Sequence, residues 1–337
     1  MKRYSRRDFL RLMALSAGSL TFNQLLAACG LKPPASLPTE IPTSFSPTNT
    51  AVSGETLPPA ATEAPHFSKD LVVARGSDPE EMVRRALAVY GGMQTFVPKG
   101  ASVVVKPNIC VAYNTYEYAS TTNPWVVGAL VKLALEAGAR QVQVFDFPFG
   151  GTAQEAYVRS GIEEQVKAAG GEMMPMPDFK FIETEIPGGV DLKTTRAFQD
   201  ALDADVLINV PIAKDHGSTR LTLGMKNLMG LVFNRGAIHT RLGQRIADLT
   251  ALFRPTLTVV DAVRILMDHG PSGGNLDDVK KMDTIIVSPD IVAADSYATT
   301  LFGLQPDDIG YIKAAAEMGL GNSDLKSLKI EEIAVGG

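Results

Sequence analysis

One stretch of the chain concentrates groups able to bind charge and move protons. Pro211-Ile212-Ala213-Lys214-Asp215-His216 is followed by Thr219-Arg220-Leu221-Thr222-Leu223-Gly224-Met225-Lys226-Asn227-Leu228-Met229-Gly230, then by Arg235, His239 and Arg241. Lysine and arginine here would hold an anionic substrate. His216 is the natural acid/base, because an unperturbed imidazole titrates near pH ~6.5. A neighbouring lysine, Lys214 or Lys226, could serve as a second base only if burial lowered its pKa. Lys106 follows three valines and precedes Pro107-Asn108. That places an ammonium at a strand end, suited to clamping a phosphate or carboxylate, and Asn108 and Asn227 are further candidate substrate contacts. Asp261 ends another apolar run and would orient groups at the same place.

Metal binding is the rival use of these residues. His216 with Asp261 and Asp295 could supply a histidine/carboxylate set for a divalent cation. No HxxxH, HExxH or CxxC spacing supports it. Gly150-Gly151-Thr152 and Gly270-Pro271-Ser272-Gly273-Gly274 are glycine-rich loops; the first enters a helix, where exposed amides could hold an anion, and Gly273 and Gly274 of the second are candidate substrate contacts, though neither loop matches a phosphate-binding fingerprint. Cys110 has no partner thiol nearby and reads as a buried residue.

These groups need a scaffold that brings them together. Apolar runs such as Leu71–Ala74, Ser102–Asn108 (stopping at the proline), Gln141–Asp146, Asp205–Pro211, Leu257–Asp261 and Met282–Val287 read as strands. Between them lie segments with helical spacing: one opened by Asp78-Pro79-Glu80-Glu81, one from Asn123 to Gly138, one over Thr219 to Val232, and others over Leu242–Phe253, Ile291–Phe302 and Asp307–Met318. A short strand is expected near Phe181-Ile182 and a last one over Ile330–Val335. The pattern predicts an α/β fold: a mostly parallel twisted sheet with helices on both faces, as one elaborated domain or two closely packed lobes meeting near residue 200. In such a sheet, ligands sit beyond the carboxyl ends of the strands. Lys106, Asn108, Lys214, His216 and Asp261 fall at those ends.

The chain has 337 residues and a formal net charge of −5. That mild acidity argues against a nucleic-acid partner. Two cysteines exclude a disulfide framework or a four-cysteine cluster built by one chain. Residues 1–28 read as an export signal, with a basic start and a weakly apolar stretch after it. Ser5-Arg6-Arg7-Asp8-Phe9-Leu10 resembles the twin-arginine signal. Leu26-Ala27-Ala28-Cys29 resembles a lipoprotein cleavage box, which implies that Cys29 is lipidated and anchors the protein to a bacterial membrane on its extracytoplasmic side. Residues 29–67 form a tether rich in Pro, Ser and Thr, unable to bury enough apolar area to fold. The folded part is expected over 68–337.

Val104-Val105-Lys106-Pro107-Asn108, Lys214-Asp215-His216, the block from Thr222 to Gly230, Val260-Asp261-Ala262, Gly270–Gly274 and Ala293-Ala294-Asp295-Ser296 together resemble the DUF362 family over nearly all of residues 70–335. The resemblance implies the fold and a shared site but no reaction, since the family carries no settled activity. Asp146 stands where many relatives have a glutamate. Some members carry ferredoxin-type iron–sulfur modules. This chain retains only Cys29 and Cys110, so no iron–sulfur cluster is expected. Two readings follow. One is an enzyme acting on a small anionic substrate through Lys214, Lys226, His216 and Asp261. The other is a ligand- or cofactor-binding lipoprotein, or a redox-accessory subunit serving a membrane partner.

Overall fold

The structure, a computed structural model, describes residues 67–336. The expected signal (1–28), Cys29 and nearly all of the tether lie outside the described residues. The described residues fall within one compact unit, so of the two expected arrangements they form the single elaborated domain rather than two lobes meeting near residue 200.

Twelve strands carry the architecture among the described residues: β1 (Leu71–Gly76), β2 (Ser102–Pro107), β3 (Gln141–Val144), β4 (Glu172–Met173), β5 (Phe181–Glu185), β6 (Thr194–Phe198), β7 (Val206–Val210), β8 (Ile212–His216), β9 (Arg220–Thr222), β10 (Leu257–Leu266), β11 (Val279–Ser288) and β12 (Ile330–Val335). Ten form one twisted sheet in the order β12-β1-β11-β10-β7-β2-β3-β4, with β8 on β10 and β9 on β8. The β10-β7-β2-β3-β4 half is parallel throughout. β11 runs antiparallel to both of its neighbours, and β9 to β8. Strands β5 and β6 pair separately as an antiparallel ribbon.

The valine-rich strands are buried on both faces, and the two-residue period divides their side chains between two apolar layers. Val103 and Val105 join one layer while Val104 joins the other. Val206, Ile208 and Val210 oppose Leu207 in the same way. Helices Pro79–Val89 and Pro124–Glu136 cover the first layer; helices Leu242–Phe253, Ile291–Thr299 and Gly310–Glu317 cover the second. Asp78 caps the first helix, its carboxylate accepting from the Glu80 and Glu81 amides; Asn123 caps the second. Continuing the alternation puts Lys106 on the Val104 face and Asn209 on the Leu207 face. The two stand opposite one another in the β2–β7 register.

The segment from Thr219 to Val232 departs from the expected helix. It holds strand β9, a one-turn helix over Gly224–Asn227 and a 3-10 turn over Leu228–Leu231. Leu221 through Val232 is buried without interruption. A segment buried on every side shows no exposed stripe, so its apolar spacing cannot tell a helix from a strand and a turn. Lys214 and His216 also sit within a strand, since the chain resumes as β8 directly after Pro211. No helix of the described residues is long and apolar enough to cross a membrane.

Candidate functional site

A cavity of about 380 Å³ opens beyond the carboxyl ends of β2 and β3 and against β8. Its wall on the sheet side begins with Lys106, which is wholly buried. The ammonium donates to Asp146 Oδ1 at 2.7 Å, to the Pro107 carbonyl at 2.8 Å and to Asn227 Oδ1 at 2.9 Å. All three of its protons are therefore committed to protein oxygens. Burial lowers the Lys106 pKa, with the Asp146 charge opposing. Asp146 is itself held in place by the amides of Ile109 (2.5 Å) and Phe147 (2.8 Å).

Asn227 links this ion pair to the sheet. Its amide nitrogen donates to Asn209 Oδ1 at 2.9 Å, and its oxygen also accepts from Asn108 Nδ2 at 2.9 Å. Asn209 in turn donates to the Gly224 carbonyl at 2.9 Å. Gly230 passes directly over the ion pair. A Cβ there would lie 2.1 Å from Asp146 Oδ1 and 2.7 Å from Lys106 Nζ. Gly230→Ala is expected to destabilise the fold by about 1–3 kcal/mol through overpacking. Urea denaturation checks this, and a midpoint equal to wild type would refute it.

Lys214 is almost fully buried and equally saturated. It donates to Ser120 O at 2.6 Å, Pro271 O at 2.9 Å and Asn108 Oδ1 at 3.0 Å. None of those acceptors carries a charge, so its positive field reaches the cavity uncompensated. Arg235 lies at another wall, donating to the Phe147 carbonyl at 2.7 Å with its guanidinium 4.8 Å from the Phe147 ring centre.

Lys226 differs from the other two lysines. It is 7% exposed, lines the cavity, and its Nζ meets only the Met229 thioether at 3.6 Å. Burial first, then the Lys214 charge, pull its pKa down to about 8. The buried Thr222 hydroxyl, also lining the cavity, has no hydrogen-bond partner. Thr222 stands opposite Lys214 in the β8–β9 hairpin.

His216 lines the same cavity, but its chemistry differs from expectation. Burial, then the charges of Lys226 and Lys214, push its pKa to about 3. At neutral pH the ring is uncharged, so it is not the ready proton donor its ordinary pKa suggested. Its Nδ1 accepts from the Ser218 amide at 3.0 Å, which puts the ring proton on Nε2.

The structure does not bring the expected acids here. Asp261 is buried away from the cavity lining, its two oxygens accepting from the Asn123 amide (2.7 Å) and the Val263 amide (3.0 Å). Asp295 is likewise buried, taking the amides of Gly224 (2.6 Å) and Met225 (2.8 Å). Each closes off orphan backbone donors, which places them as supports rather than reacting groups. Burial raises their pKa values to about 6 and about 7, against the effect of those amides. The metal set His216, Asp261 and Asp295 is therefore corrected. Among the described residues no three His, Cys, Asp or Glu side chains gather as metal ligands would. Gly273 and Gly274 also stay off the lining; both have positive φ and serve the turn, while the same loop contributes Pro271.

Sequence reasoning missed the unpartnered Thr222, the clearance at Gly230 and the connecting role of Asn209. The period-two face shared by Asn209 and Lys106 was the available signal for the last.

Residues 103–300 match the family described as a domain of unknown function, DUF362. The thylakoid-associated protein sll1697 of Synechocystis sp. is 29% identical over 248 residues, covering 71% of this chain and 74% of that protein. Among solved structures, the lactate racemase apoprotein of Thermoanaerobacterium thermosaccharolyticum superposes with a TM-score of 0.42 at 13% identity over 68% of this chain. A structural-genomics target from Thermotoga maritima gives 0.37 at 12% identity, again over 68%. The chain spans 56% and 60% of the lengths of those two structures.

Proposed function

The chain belongs to the DUF362 family, and from that premise we propose that its cavity is the site of an enzyme acting on a small anionic substrate. The observation that carries this reading is the charge balance of the lining. Lys106, Lys214, Lys226 and Arg235 face it, against the single carboxylate of Asp146. Lys106 and Asp146 neutralise one another, which leaves three cations in a largely buried space. Burying a charge without a partner is costly, and an anionic ligand relieves that cost. Ile109, Phe147, Phe149 and Met229 supply an apolar wall, so the fitting ligand is compact and carries a carboxylate or phosphate on a small carbon frame.

On the lining, burial and the Lys214 charge bring the Lys226 pKa down to about 8. Its ammonium attracts the anion below pH 8, and its free amine can accept a proton or attack an electrophile above it. Malonate and inorganic phosphate are suitable probes, measured by calorimetry with the full-length protein. Affinity is expected to fall as pH rises through about 8, the pKa of Lys226. Lys226→Met should cost about 10–100-fold in affinity, or roughly 1.4–3 kcal/mol, and remove that pH dependence. Equal affinity in the variant, or binding that strengthens with pH, would overturn the reading.

The proposal includes a membrane anchor at Cys29. The twin-arginine-like start and the Leu26-Ala27-Ala28-Cys29 box support it, and the Synechocystis relative is named a thylakoid-associated protein. Cys29→Ser is expected to release the protein into the soluble extracytoplasmic fraction. Retention of that variant with membranes would count against lipidation.

A further inference from the structure

We propose that the Lys226 amine forms a covalent imine with the carbonyl of a small 2-oxo acid held in this cavity. The inference rests on the anionic-substrate reading and narrows it to a keto carboxylate. Three amines and one thiol stand on the lining: Lys106, Lys214, Lys226 and Cys110. Lys106 and Lys214 each donate to three protein oxygens. Freeing either would leave a buried network short of a donor. The Cys110 thiol donates to the Pro271 carbonyl at 3.4 Å, and burial raises its pKa away from the reactive thiolate. Lys226 has no oxygen partner to surrender.

The surroundings suit this carbonyl chemistry. The Lys214 and Arg235 charges favour a carboxylate beside the amine. Thr222 offers a hydroxyl whose hydrogen-bonding capacity is unused. His216 adds a neutral N–H donor. Burial and the Lys214 charge also keep a useful fraction of Lys226 as the free amine near neutral pH.

The step balances without an oxidant. The nitrogen lone pair forms a C–N bond as the carbonyl π bond opens to an alkoxide. That oxygen takes the first of the two nitrogen protons, giving a neutral carbinolamine. Loss of water, carrying the oxygen and a second proton from nitrogen, leaves the imine. Protonated, the imine draws electrons from the bonds on the adjacent carbons, which is the chemical use of such an adduct.

The test is reductive trapping of the full-length protein with pyruvate and sodium cyanoborohydride at pH 7.5, read by intact mass and peptide mapping. The expected result is one carboxyethyl group per chain on Lys226, formed more than about tenfold faster than on any exposed lysine, because its free-amine fraction is larger. A folded Lys226→Arg variant, checked by circular dichroism, should lack that adduct. Malonate, which has no ketone, separates the two claims. Malonate binding with no adduct on Lys226 overturns the imine and leaves the anion site standing. Neither malonate binding nor adduct overturns both. Labelling scattered over exposed lysines, unchanged in Lys226→Arg, also overturns the imine.

Discussion

Asp146→Ala is expected to lower the unfolding free energy by about 3–5 kcal/mol, the usual cost of leaving one member of a buried ion pair without its partner. Lys106 and Asp146 are 1% and 5% exposed at the side chain and meet at 2.7 Å. Removing the carboxylate strands the ammonium, and it also deprives the Ile109 and Phe147 amides of their acceptor. Relief would come from deprotonating Lys106, which burial already favours. Lys106→Met combined with Asp146→Leu removes both charges together and should recover much of the loss. Urea denaturation at pH 7 on the two single variants and the double variant forms the cycle. A single-variant loss under about 1 kcal/mol, or a double variant no better than the worse single one, would show that the pair is not coupled as described.

Asp295→Ala is expected to cost about 2–4 kcal/mol, since two buried amides, Gly224 and Met225, lose their acceptor together. The damage should also reach the cavity, because the same turn carries Lys226 and Asn227. Malonate affinity should therefore fall although Asp295 does not line the cavity. A pH signature separates this from a generic loss of stability. Burial raises the Asp295 pKa to about 7, above the ordinary carboxyl value near ~3.9. The folded state thus holds this proton more tightly than the unfolded chain. The resulting stabilisation is complete below pH ~4 and is lost as pH rises through about 7. Unfolding free energy measured from pH 4 to 7 should decline less steeply in Asp295→Ala than in wild type. Parallel curves would exclude Asp295 as the titrating group.

The two variants test different parts of one arrangement. Asp146 belongs to the cavity wall, while Asp295 acts from the helix Ile291–Thr299 through backbone hydrogen bonds. Both carboxylates are buried and both follow apolar runs in sequence. Only their partners distinguish them: an ammonium and two amides for Asp146, two amides for Asp295. Sequence position cannot reveal that difference, because strand-end acids, helix caps and ion-pair partners share one residue type.

Residue order alone determined the strands whose side chains are buried on both faces, the helices with clear caps such as Asp78 and Asn123, and the α/β class. These depend on local preference and hydrophobic period, which act within a few residues. It also determined that Lys106 falls at a strand end, where a parallel sheet opens, and that Lys214, His216 and Lys226 follow within one later stretch of the chain. Tertiary structure decided which of them has a free chemical group. Lys106 and Lys214 find three acceptors each, drawn from residues as distant in sequence as Asn227 and Pro271. Lys226 finds none but a thioether. It also turned the expected helix after Thr219 into a hairpin strand and a short turn. Hydrogen-bond satisfaction and desolvation depend on neighbours far along the chain. A lysine's reactivity is therefore settled only once those neighbours have packed.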